Sequence, residues 1–167
     1  MSAQVERERR DSWLRQTDSE LAAQCRTESF RGSGRGGQKR NVTESAVRLT
    51  HEPTGLSATS DKTRSQAHNR RDALRQLRME IALRCRTDPP RHWPWERIPS
   101  RRHEDFPRWA ADILDLLHGA QYSVGDAARA CDTSTGRFVR VLASDKRIWQ
   151  EVNRQRQVRG LRPLRAP

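Results

Sequence analysis

Arg31-Gly32-Ser33-Gly34-Arg35-Gly36-Gly37-Gln38-Lys39-Arg40-Asn41, followed by Ser45-Ala46-Val47-Arg48-Leu49-Thr50-His51, carries the chain from a glycine-rich stretch into an alternating one. Four of the nine glycines fall between Gly32 and Gly37. Glycine loses the most backbone freedom on ordering and offers no side chain to bury, so the stretch predicts a loop whose backbone approaches another molecule closely. Gln38 at its tip and the basic residues around it suggest an RNA end as that molecule. Beyond the loop, Val47 and Leu49 point one way and Ala46, Arg48 and Thr50 the other, which predicts a half-buried strand over 45–51. Glu52-Pro53-Thr54-Gly55 is a turn by composition, and Leu56 to Ser60 returns as the second strand of a hairpin. Upstream, Ser19 to Arg26 predicts a short helix capped by Asp18 or Ser19, preceded by a flexible, weakly helical lead-in over 1–18.

Downstream the period changes. Leu74, Leu77, Ile81 and Cys85 make an apolar helical stripe within 65–86. Arg71, Arg75 and Arg78 form a second stripe, which is either a solvated face or a phosphate-binding one. Pro89, Pro90, Pro94 and Pro99 make 88–104 a semi-rigid linker. Trp93 and Trp95 within it either pin the linker to a domain or stack on bases.

Phe106, Ala110, Ile113, Leu114 and Leu117 then stripe a helix, with Pro107 in its first turn and Gly119 as its stop. Two further helices, 123–130 and 136–143, are joined by Cys131-Asp132-Thr133-Ser134. Their spacing (Ser123, Ala127, Ala128, Ser134, Phe138, Arg140) fits a helix-turn-helix and equally a plain three-helix bundle. From 146 to the end stand seven basic residues, Lys146, Arg147, Arg154, Arg156, Arg159, Arg162 and Arg165, against Glu151 alone. Ile148, Trp149 and Val152 anchor the first turns, and the rest reads as a basic tail.

The bulk numbers agree with a polyanionic partner. Net charge is +12, carried mostly by arginine. Hydrophobic and charged residues are nearly balanced, at 33 % and 32 %. Cys25, Cys85 and Cys131 lack metal-ligand spacing, so neither zinc nor another cofactor is expected, and reduced thiols fit a cytoplasmic location. The charged start has no apolar signal region, and no run of 18 apolar residues predicts a membrane span. Gly32-x-Gly34-x-x-Gly37 matches a dinucleotide fingerprint in letters, yet Gln38-Lys39-Arg40-Asn41 does not open an apolar helix.

The pattern Arg31-x-Ser33-Gly34-x-Gly36-Gly37-Gln38-x-x-Asn41-x-Thr43-x-Ser45-Ala46-Val47-Arg48-Leu49-Thr50-His51-x-Pro53-Thr54-Gly55, with Arg64-Ser65-Gln66-x-x-Asn69 behind it, closely resembles the catalytic domain of class I peptide-chain release factors. The resemblance spans about Leu21 to Arg84. It implies an α+β fold: a small GGQ-type domain with a short sheet and a packed helix over 19–87, here followed by the linker, an all-α, helix-turn-helix-like region over 105–145 and the basic helix and tail over 146–167. It also implies hydrolysis of the peptidyl-tRNA ester in the ribosomal peptidyl transferase centre. Gly36, Gly37 and Gln38 would be the catalytic residues, and Arg31, Arg35, Lys39 and Arg40 would grip ribosomal RNA phosphates.

No second motif for reading stop codons follows, so the expectation is a monomeric, codon-independent rescue factor whose basic tail enters the mRNA channel. Two alternatives stay open: a non-enzymatic RNA- or DNA-binding protein using the helix-turn-helix-like region, and a termination factor that borrows codon reading from a partner.

Overall fold

The sequence builds two compact units, residues 12–81 and residues 1–11 with 82–167. They are described here from a computed structural model that covers residues 3–31, 44–90 and 92–166. Among these residues stand a three-stranded antiparallel sheet and seven helices, an α+β fold. No described helix is long and apolar enough to cross a membrane.

In the first unit, α2 (Asp18–Ala23) opens on Thr17, whose side chain accepts from the Glu20 N–H while the Glu20 carboxylate accepts from the Thr17 N–H. This reciprocal capping box places the cap at Thr17, ahead of the expected Asp18 or Ser19. The helix ends at Ala23, so that Cys25 and Arg26, expected to be helical, instead open a strand that pairs with Thr50 and His51. Strands β1 (Cys25–Phe30), β2 (Ala46–His51) and β3 (Ser57–Ser60) lie in chain order, with Phe30 opposite Ala46 and Val47 opposite Ser60. The β2–β3 turn closes on His51, whose carbonyl accepts from the N–H groups of Thr54 and Gly55, and Gly55 takes φ +69°, where a side chain is strained. Alternation in β2 is only partial: Val47 and Leu49 are buried, and so is Ala46. Leu21, Ala58, Ala73, Leu74, Leu77 and Ile81 complete this core, the last four from α3 (Gln66–Arg84). Cys85 lies just past the helix end and is half-buried.

In the second unit, α4 (Phe106–Gly119), α5 (Val124–Ala130), α6 (Thr135–Ala143) and α7 (Lys146–Val158) follow one another through short turns. Ser123, Ser134 and Asp145 cap α5, α6 and α7 by accepting backbone N–H bonds from the first turn. Gly119 ends α4 for a reason other than the one expected. It has an ordinary negative φ, and a Cβ there would stand 3.0 Å from the Pro89 ring. The glycine therefore admits the proline segment. Trp95 ties that segment down further, donating its indole N–H to Asp112 at 2.8 Å beneath the Arg108 guanidinium.

The lead-in expected over 1–18 as flexible and only weakly helical is a defined helix, α1 (Ala3–Arg15). Two aspartates explain it. Asp112 and Asp115 sit on the otherwise apolar α4, almost wholly buried, and carboxylates there require cationic partners. Arg7 reaches Asp112 at 2.5 Å, and Arg10, itself 1 % exposed, pairs with Asp115. Arg86 at 2.8 Å and the Thr87 hydroxyl at 2.9 Å complete the Asp115 shell.

Candidate functional site

The glycine loop leaves the sheet where β1 and β2 are still paired, at Phe30 and Ala46. Its two ends are bridged by an exposed ion pair, Arg31 to Glu44 at 3.9 Å. Gly36, Gly37 and Gln38, and with them Arg35, Lys39 and Arg40, lie outside the described residues. What the structure does define is the base that holds them.

Asn69 is the centre of that base. It is fully buried on α3 and uses every polar atom of its side chain. Its amide donates to the Ser45 carbonyl and the Thr63 carbonyl, both at 2.7 Å. Its oxygen accepts from the Thr63 N–H at 3.0 Å and the Thr63 hydroxyl at 3.2 Å. Ser45 precedes β2, so one side chain fixes where the loop rejoins the sheet. Gln66 acts at the other end, donating to the Ser29 hydroxyl at 2.6 Å. Arg48 lies over the Phe30 ring, 5.5 Å from its centroid. His51 is buried, shares a hydrogen bond with Thr54 at 2.8 Å and meets Trp13 edge-on.

The RF-1 domain family matches residues 17–97, which include the sheet, the loop and all of α3. These residues are a class I release-factor catalytic domain. Among relatives of this release-factor domain, peptide chain release factor 2 of Kineococcus radiotolerans is 43 % identical over 125 residues, covering 70 % of the chain and 33 % of the relative. Peptide chain release factor 2 of Acidothermus cellulolyticus is 33 % identical over 111 residues, 66 % of the chain and 29 % of the relative. Peptide chain release factor 1 of Leptospira biflexa is 53 % identical over 57 residues, 34 % of the chain and 16 % of the relative. The chain thus spans a third or less of the length of these relatives.

Within the release-factor domain the arginine stripe is not uniform. Arg71 and Arg75 are exposed and line a groove of about 470 Å³ together with Lys62 and His68. Asp72 organises the groove, receiving Lys62 at 2.8 Å, Arg75 at 3.3 Å and the Gln76 amide at 2.7 Å. Burial alone would raise its carboxyl, but the hydrogen bonds and charge led by Lys62, with Gln76 adding to them, outweigh burial and hold it below the ordinary range. Arg78 is turned inward: only 13 % exposed, it pairs with Asp18 at 2.5 Å and donates to the Gln16 carbonyl at 2.6 Å.

The basic residues after 145 divide the same way. Lys146, Arg162 and Arg165 are exposed. Arg147 is held by Asp145 at 3.0 Å, and Arg154 by Glu151 at 2.7 Å. Arg156 donates to the Tyr122 and Arg162 carbonyls, and Arg159 covers the Tyr122 ring at 4.5 Å. The end of the chain folds back onto α7, where the Leu164 N–H donates to Asn153 at 2.7 Å.

Sequence reasoning placed Asn69 in the pattern but missed its structural task. The available signal was an amide side chain one turn before Ala73, which is buried beside the first position of the apolar stripe, Leu74. Lys62 and His68 share the groove with Arg71 and Arg75 although neither lies on the arginine stripe.

Proposed function

We infer that this chain hydrolyses the ester joining a nascent peptide to transfer RNA on the ribosome, using the Gly36-Gly37-Gln38 loop. The observation that carries this reading is the stitched loop base, Asn69 to Ser45 and Gln66 to Ser29, within a release-factor catalytic domain. The substrate ester is already activated, so no side-chain nucleophile is required. Water adds to the ester carbonyl, the tetrahedral oxyanion collapses, and the ribose 3′-oxygen leaves and takes up a proton. The backbone N–H of Gln38 stabilises the developing charge, a donor of a kind worth about 3–4 kcal/mol. Gly36 and Gly37 lack the Cβ that would restrict the backbone there, a restriction worth about 1–2 kcal/mol per residue where a side chain would clash. The Gln38 side chain closes the pocket around water. Gln38→Ala then lets a larger nucleophile such as hydroxylamine compete better with water.

We read the activity as codon-independent rescue, with Arg31, Arg35, Lys39, Arg40, Arg71 and Arg75 on ribosomal RNA phosphates. Support comes from the basic C-terminal segment, where Lys146 at the start of α7 and Arg162 and Arg165 beyond its end are exposed and available for an mRNA channel. The test is release of labelled peptide from ribosomes without mRNA in the A site, compared with ribosomes holding a stop codon there. Release without a codon, at least as fast as with a stop codon, is expected, and release confined to stop codons refutes rescue.

A further inference from the structure

The helical unit contains a cavity that peptide release does not use. It has a volume of about 420 Å³, within the ~300–1,000 Å³ of small-ligand sites. Trp109, Ile113 and Phe138 line it as fully buried residues. Trp93 and Trp95 line it as half-buried ones, with Ile98 beside them at 48 % exposure. Two indoles left partly open over an apolar floor are what a flat aromatic guest requires. The same cavity is bordered by Arg97 and Arg137, both exposed. Neither makes an ion pair among the described residues, whereas Arg7, Arg10, Arg86, Arg147 and Arg154 of this unit all do. Glu96 and Asp132 also border it, so the cavity itself is close to neutral and its cations are uncommitted rather than in excess. The excess lies alongside: Arg140 on α6 and Lys146 at the start of α7 are exposed, in a chain of net charge +12.

We propose that this cavity takes one unpaired base of single-stranded RNA, with Arg97 and Arg137 on the flanking phosphates. Aromatic walls with uncommitted cations at the border are the arrangement that holds single strands through stacking and phosphate contact. An aromatic peptide side chain would suit the walls equally, but it would leave the two arginines unused. The site belongs to the helical unit alone, so it stands or falls independently of ester hydrolysis.

The experiment uses the full chain and two short oligoribonucleotides of equal length, one oligouridylate and one abasic, titrated by fluorescence anisotropy. The base-bearing strand should bind more tightly, by roughly 5- to 150-fold, the worth of one stacked base. Trp93→Ala should remove that preference and leave abasic binding unchanged. Arg137→Ala, an exposed and unpaired position that spares the fold, should weaken both strands and flatten the salt dependence. Equal affinity for the two strands overturns the proposal. So does an unchanged preference in Trp93→Ala, or displacement of the RNA by a tryptophan-bearing peptide that binds Arg137→Ala as well as the parent.

Discussion

The sheet unit and the helical unit are both rich in arginine, and they use it oppositely. In the sheet unit, neutral hydrogen bonds do the joining: Asn69 to Ser45 and Thr63, Gln66 to Ser29, His51 to Thr54. Its arginines, Arg78 excepted, remain at the surface as Arg31, Arg48, Arg71 and Arg75. In the helical unit charge does the joining. Arg7, Arg10 and Arg86 are spent on Asp112 and Asp115, and Arg84 and Arg154 on Glu151. A count of basic residues therefore overstates the nucleic-acid face of the helical unit far more than that of the sheet unit. Of the seven cations after 145, four are engaged internally.

The largest effect that would break this contrast is loss of Arg10. Arg10→Met leaves part of the fully buried Asp115 carboxylate without its cation and should cost about 3–5 kcal/mol in urea unfolding. A loss below about 1 kcal/mol would show that the charge cluster is not what holds α1 and α4 together. The sheet-unit counterpart is smaller. Asn69→Leu leaves the Ser45 and Thr63 carbonyls unpaired and should cost about 1–3 kcal/mol. Because Asn69 acts by positioning the loop, this variant should also slow peptide release under conditions where it remains folded, whereas Arg10→Met should lose activity only in proportion to its unfolded fraction.

The stripe on α3 sharpens the contrast within one helix. Arg78→Ala should lower stability by about 1 kcal/mol through loss of its Asp18 and Gln16 bonds. Arg71→Ala should leave the melting temperature unchanged and reduce the salt slope of ribosome binding by about one. The reverse pattern would mean that Arg78, not Arg71, faces RNA.

The smallest effect is the pH response. Burial pushes the Asp145 and Glu151 carboxyls up, but hydrogen bonds and charge from Arg147 and Arg154 outweigh it and hold both below the ordinary range. Their stabilisation is present above the unfolded-state values and is lost as pH falls through the folded ones, so the helical unit should weaken below about pH 4. Asp112 has the opposite sign: burial keeps its carboxyl above the ordinary value despite Trp95 and Arg7, and its contribution is lost as pH rises. Asp145→Asn with Glu151→Gln should flatten the acid limb measured by circular dichroism. An unchanged limb would assign acid sensitivity elsewhere.

Much of the sheet unit was legible because its residues obey local rules. Gly55 marks a turn with positive φ, Val47 and Leu49 alternate, and Leu74, Leu77 and Ile81 keep helical spacing. The helices after 105 were legible for the same reason, although the Ser123 and Ser134 caps that open two of them were not singled out. What escaped was long-range. The lead-in is helical because Arg10 meets an aspartate 105 positions away, and polar α1 carries no sign of that pairing in its own sequence. Likewise Gly119 is small because Pro89 approaches it, a contact that spacing cannot reveal.

The most direct test of the account is the rate of peptide release by Gly37→Ala on ribosomes bearing labelled peptidyl-tRNA. If the glycine loop presents the Gln38 N–H to the reacting ester, this variant should bind ribosomes as the parent does. It should release peptide on the order of 10²- to 10³-fold more slowly, the usual effect of displacing one oxyanion donor. Release at the parental rate would contradict the assignment of hydrolysis to this loop.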